Sequence, residues 1–150
     1  MEGRFETFTV LIGKINRCIK KIKTEEMDEM NLKSPHVSCI YYLYRCGELT
    51  AKELGDICGE DKAALSRSLV SLENNGYIIC DDKNKKRYRS YLKLSEKGRE
   101  IGKKIAQIIE KMLNLASEGL SEEKRKIMYE GLTLICKNLD NLCKQYEGDK

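Results

Sequence analysis

Apolar residues at Phe5, Phe8, Leu11, Ile12, Ile15, Cys18, Ile19 and Ile22 fall three or four apart. That spacing places them on one stripe of a helix running from Arg4 to about Lys23. A polar stretch, Thr24 to Glu29, follows, and Ser34 before Pro35 reads as an N-cap and first-turn pair for a second helix ending near Arg45. Gly47 closes it, and Glu48 to Thr50 is only long enough for a bridging strand. Thr50 and Glu53 form a capping-box pattern for a third helix that should bury Leu54 and Ile57, and Gly59 ends that helix. Asp61 can cap a fourth, in which Leu65, Leu69 and Leu72 lie within about 60° on the helical wheel.

Asn75 and Gly76 supply a left-handed stop. Beyond them the period changes from helix to strand. Tyr77 to Cys80 and Tyr88 to Leu94 read as the arms of a hairpin, with Tyr88, Ser90, Leu92 and Leu94 on one side. Ser95 then caps a long fifth helix carrying Ile101, Ile105, Ile108, Met112 and Leu115 at steps of three or four. After Gly119 the chain restarts at Ser121. Met128, Leu132, Ile135, Leu139 and Leu142 form a short heptad seam on the last helix.

This pattern predicts a mainly α protein with a small β-hairpin. Residues 34–95 make a winged helix-turn-helix head, 4–27 and 96–146 make dimerisation helices, and all lie within one domain spanning 1–150. Terminal helices with apolar stripes this long exceed what the small head can cover, and a two-fold homodimer is the economical way to bury them.

Composition narrows the function. With 41% apolar and 35% charged residues, one proline and no tryptophan, the chain is neither disordered nor membrane-like. No apolar run approaches the roughly 20 residues of a membrane span, and Met1 to Arg4 does not open a signal peptide, so a cytoplasmic protein is expected. Seven cysteines without a repeated C-x-x-C pair suit a reducing compartment. The net charge of +4 is uninformative, but its distribution is not: Lys83, Lys85, Lys86, Arg87, Arg89 and Lys93 crowd one segment that contains no acid.

A helix that enters a major groove needs small or polar residues at its leading end. The fourth helix meets this with Lys62, Ala63, Ser66, Arg67 and Ser71, of which Arg67 is the best candidate for a guanine or phosphate contact. The cations at the hairpin tip (Lys83, Lys85, Lys86, Arg87, Arg89) suit a phosphate backbone or a minor groove. Double-stranded DNA is therefore the expected partner. The competing reading is a winged-helix module that binds protein, which would have no need for such a cluster of cations.

The string DKAALSRSLVSLENNGYI, followed by a basic hairpin and LKLSEKG, resembles the MarR family of transcriptional regulators, as do SPHVSCIYYLYRCGELTAKELG and LSEEKRKIMYEGL. The resemblance implies a homodimer on a pseudo-palindromic operator, usually repressing, and often released by a small ligand or by oxidation. It departs at the wing, where Lys86-Arg87-Tyr88 stands in place of the usual Asp-x-Arg, leaving Arg87 and Arg89 as alternative wing arginines. An effector pocket in this family would bring in His36, Tyr41, Tyr42 and Tyr44, suited to an aromatic acid. For oxidation the candidates are Cys18, Cys136 and Cys143, through a bond between subunits. Cys39 with Cys46, and Cys136 with Cys143, are about 10 Å apart along a helix and too distant to bridge within one chain. One histidine is too little for a metal site or for acid-base catalysis, so neither a cofactor nor an enzymatic activity is expected.

Overall fold

The computed structural model describes residues 3, 6–30, 32–80 and 90–148. A π-helical turn, Glu6–Leu11, leads directly into α1 (Ile12–Glu26). Then come α2 (Ser34–Cys46), β1 (Glu48–Thr50), α3 (Ala51–Cys58), α4 (Lys62–Asn74), β2 (Ile78–Cys80), β3 (Tyr91–Leu94), α5 (Glu96–Ala116) and α6 (Glu122–Gly148). The chain divides into two compact units, 1–110 and 111–150.

The local signals place most boundaries. Thr50 and Glu53 close the capping box of α3: the Glu53 N–H donates to Thr50 Oγ1 (3.2 Å) and the Thr50 N–H to Glu53 Oε2 (2.7 Å). Hydrogen bonding to Thr50 also holds the Glu53 carboxyl below its usual range. Asp61 Oδ1 accepts from the Ala64 N–H at the start of α4 (2.8 Å), and Ser95 and Ser121 do the same for α5 and α6. Gly59 ends α3 in the left-handed conformation, at φ +64°.

Three expectations are corrected. The N-cap of α2 is Lys33 rather than Ser34, since the Lys33 carbonyl accepts the first helical N–H, from Val37 (3.1 Å). Pro35 still lies in the first turn, where no N–H partner is required of it. Ile57 is 43% exposed, because the short α3 packs through Ala51 and Leu54 instead. On α5 Ile105 is buried as expected, but Gly102 and Ile109 are buried in place of Ile101 and Ile108, each one position further along, and Gly98 joins them. The two glycines let the helix approach closely: a Cβ on Gly98 would run into the Tyr77 carbonyl, and one on Gly102 would lie 3.0 Å from the Tyr44 ring.

The sheet is antiparallel in the order β1-β3-β2, pairing Glu48 with Lys93 and Ile79 with the same residue from the other side. Ser90, Leu92 and Leu94 point inward, and Tyr91 outward at 54% exposure. Leu92 and Leu94 join Val37, Ile40 and Leu43 of α2, Leu54 of α3, and Leu65, Leu69 and Leu72 of α4 among the buried side chains of unit one. Met27, in the polar stretch after α1, is also fully buried. By contrast, the α1 stripe (Leu11, Ile15, Ile22) and the α6 stripe (Leu132, Leu139, Leu142) remain at least 38% exposed in the single chain.

Candidate nucleic-acid interface

Helix α4 has a buried side and a presented side. Leu65, Leu69 and Leu72 are at most 4% exposed, and Ser68 lies inward with them. Gly55 of α3 permits this seating, since a Cβ there would come within 3.1 Å of Leu65 Cδ2. Fixing three leucines inward fixes the opposite side outward: Lys62, Ala63, Ser66 and Arg67 are exposed, and Ser71 is half-buried. The Asp61 carboxylate already caps the N-terminus of α4, so the positive charge of this edge comes from the Lys62 and Arg67 side chains rather than from the helix end. The geometry places an exposed guanidinium and two hydroxyls on one helix edge, the donor set that reads base edges and phosphates.

Arg67 and Ser71 also border a groove of about 530 Å³, closed on its other side by Lys33, Pro35 and His36 at the start of α2. His36 Nδ1 accepts the Lys33 N–H at 3.4 Å, so His36 takes the reciprocal part of a capping box. Partial burial and the Lys33 charge hold its imidazole below the usual range, favouring the neutral ring.

The hairpin cations Lys83, Lys85, Lys86, Arg87 and Arg89 lie outside the described residues. What is described is the stem, β2 and β3, with Lys93 on the central strand.

The same arrangement recurs in solved structures. A MarR family regulator from Neisseria meningitidis superposes with a TM-score of 0.80 at 15% identity, covering 95% of this chain and 98% of that one. The S. aureus MepR-DNA complex superposes at 0.77 with 19% identity, covering 91% and 99%. No protein-family model matches the chain. In sequence, the uncharacterized HTH-type transcriptional regulator YwoH of Bacillus subtilis (strain 168) is 30% identical over 115 residues, which are 75% of this chain and 81% of that protein. The chain belongs to the HTH-type transcriptional regulators. Its fold is that of the MarR family. The relatives are transcriptional regulators and not enzymes.

The four residues read as an effector pocket are divided in this regulator. Tyr41 and Tyr42 pack edge to face with ring centroids 5.3 Å apart, and burial raises the Tyr42 phenol above its usual range. Tyr44 lies against Gly102 and borders a second recess, of about 350 Å³, with Glu48, Lys93 and Arg99. His36 faces the groove beside α4.

Cys18, Cys136 and Cys143 are all exposed. Of the other cysteines on these helices, Cys39 of α2 is buried and Cys58 of α3 is half-buried. Among the described residues, no three His, Cys, Asp or Glu side chains gather as a metal site, and no helix is long and apolar enough to cross a membrane.

Proposed function

We propose that this protein is a homodimeric, sequence-specific DNA-binding repressor that reads a pseudo-palindromic operator. The observation that carries the reading is the presented edge of α4, where Lys62, Ser66 and Arg67 are exposed while Leu65, Leu69 and Leu72 are locked inward. Arg67 reads a base edge, Lys62, Ala63, Ser66 and Ser71 make backbone or base contacts, and Lys83, Lys85, Lys86, Arg87 and Arg89 of the wing grip phosphate or a minor groove. The exposed stripes on α1 and α6 support a two-fold pair, since apolar rows of this kind are ordinarily covered. Two copies would present their α4 helices to half-sites about 34 Å apart. An aromatic acid is the effector class these side chains favour, met by His36 in the groove beside α4 or by Tyr44 in the recess with Arg99 rather than by all four residues at once.

The test is fluorescence anisotropy on the DNA upstream of the protein's own gene, with competitor, at rising salt. Affinity should fall steeply as salt rises, as counterion release requires. Arg67→Ala should cost about 1–3 kcal/mol and relax sequence preference, whereas Lys85→Ala should weaken all sequences alike. Binding unaffected by salt, or an Arg67→Ala variant that keeps full affinity and preference, would overturn the reading and favour a protein-docking module.

A further inference from the structure

The far end of α4 is held from another helix. Its exit runs through Asn75, Gly76 and Tyr77, where the Gly76 N–H donates to the Glu73 carbonyl (2.9 Å) and the Tyr77 N–H to the Leu72 carbonyl (2.9 Å). Those bonds satisfy carbonyls within the last turns, and the carbonyls of the exit residues themselves need partners from elsewhere. The start of α5 takes up all three. Lys97 Nζ donates to the Asn75 carbonyl at 2.8 Å, Ser95 Oγ to the Gly76 carbonyl at 2.6 Å, and the Ser95 N–H to the Tyr77 carbonyl at 3.0 Å. Lys97 Nζ also stands 4.4 Å from the centre of the Tyr77 ring, a cation over an aromatic face.

Electrostatics gives this brace its direction. α4 carries no basic residue in its own last turn, where a cation would complement the partial negative charge of the helix end. Lys97 supplies that cation from α5, across twenty-two residues of sequence. At its leading end α4 is fixed by the Asp61 cap, and between the ends it is seated on Leu65, Leu69 and Leu72. Arg67 lies about 12 Å along the axis from Asn75, at 1.5 Å per residue. A helix seated on leucines but loosened at its exit can rock on that seat, and the rocking displaces its exposed edge.

We propose that Lys97 and Ser95 of α5 are positioning residues for DNA reading: they touch neither base nor phosphate, and they set the angle at which Arg67 meets the groove. The inference rests on α4 being the DNA-reading element. Its distinguishing consequence is that Lys97, although an exposed cation, governs sequence preference rather than the general attraction to the backbone.

The experiment compares the full-chain parent with Lys97→Met, which keeps an apolar stem over Tyr77 but no charge or donor, and with Lys97→Arg, which restores both. Fluorescence anisotropy is measured on the DNA upstream of the protein's own gene and on a shuffled duplex of the same composition, at several salt concentrations. Lys97→Met should bind the upstream DNA about ten-fold more weakly, the scale of one lost base contact, and bind the shuffled duplex with the parent's affinity and salt slope. Lys97→Arg should recover to within about two-fold. Ser95→Gly, which keeps a residue tolerated at the N-cap of α5 but lacks the hydroxyl, should lose preference in the same way. In an Arg67→Ala background Lys97→Met should cost nothing further, because the contact through which it acts is already gone. Amide hydrogen exchange at Gly76 and Tyr77 should quicken in Lys97→Met and recover in Lys97→Arg, a readout that needs no DNA. Equal weakening on both duplexes, with the salt slope lower by about one, would make Lys97 a phosphate contact and overturn the proposal. Lower stability with unchanged affinity for the upstream DNA overturns it as well, leaving a brace of purely structural effect. Additive losses with Arg67→Ala overturn the route through Arg67. If the parent does not discriminate between the duplexes while the exchange response appears, the brace stands, and the DNA-reading assignment of α4 fails together with the positioning role.

Discussion

Replacing either of two helical glycines by alanine should shift stability in opposite directions. Gly98 lies in the first turn of α5, where an added Cβ would collide with the Tyr77 carbonyl oxygen and come within 3.0 Å of its carbon and 3.2 Å of Leu94 Cδ2. That carbonyl is no bystander: it accepts the Ser95 N–H at 3.0 Å and Ser95 Oγ at 3.3 Å. Relief of the collision must move backbone and loosen the Ser95 cap. Overpacking of this kind costs about 1–3 kcal/mol, and each weakened hydrogen bond about 1 kcal/mol. Against this stands a gain of at most about 1 kcal/mol for alanine over glycine in a helix. The net expectation for Gly98→Ala is a loss of about 2–3 kcal/mol, or roughly 4–12 °C in Tm for a chain of this size. Gly131, in the middle of α6, has nothing within 4 Å of the added atom. Gly131→Ala should therefore gain about 0.5–1 kcal/mol. The assay is urea unfolding followed by circular dichroism at one fixed protein concentration. A Gly98→Ala variant as stable as the parent, or stabilised like Gly131→Ala, would refute the close approach of α5 to Tyr77.

Three further outcomes are expected. Asp61→Ala removes the acceptor for the Ala64 N–H and should cost about 1 kcal/mol in urea unfolding, with a matching weakening of DNA affinity because the lost cap lies at the leading end of α4. The Glu53 carboxyl is held below its usual range when folded, so its ionised form stabilises the protein above the unfolded pKa, near 4.5, and that contribution is lost as pH falls through the folded value. The stability difference between parent and Glu53→Gln should accordingly be largest above pH 4.5 and shrink on acidification; a difference independent of pH would refute the carboxylate's role. Leu132→Glu places a charge on the α6 stripe and should yield a monomer by sedimentation, with helicity retained and operator affinity at least about ten-fold lower.

Features governed by neighbours in sequence were legible beforehand. The capping box at Thr50 and Glu53, the caps at Asp61, Ser95 and Ser121, the inward leucines of α4 and the alternation from Ser90 to Leu94 all follow from local hydrogen bonding and from the two structural periods. Features created by distant packing were not. Met27 sits among acids and reads as exposed, yet it is fully buried. Ile57 has the right spacing for burial yet is 43% exposed. The ridge of α5 is shifted because glycine, which hydrophobic counting ignores, allows the closest approach. On the presented edge of α4 the residue types could be read from the chain, and so could the side of the helix they occupy. The groove joining Arg67 to His36 needs two elements brought together by tertiary packing, which no single stretch of sequence records.

The place of β3 at the centre of the sheet bears on how the head assembles. β1 finds its partner about forty-five residues further along, and β2 pairs with that same strand. Helices α3 and α4 can form from local contacts as soon as they leave the ribosome, but the ladder that holds them waits for Tyr91 to Leu94 to be synthesised. A chain arrested before that point would carry α4 without its clasp, so the finished head should arise late and in one step, with β3 as its timing element.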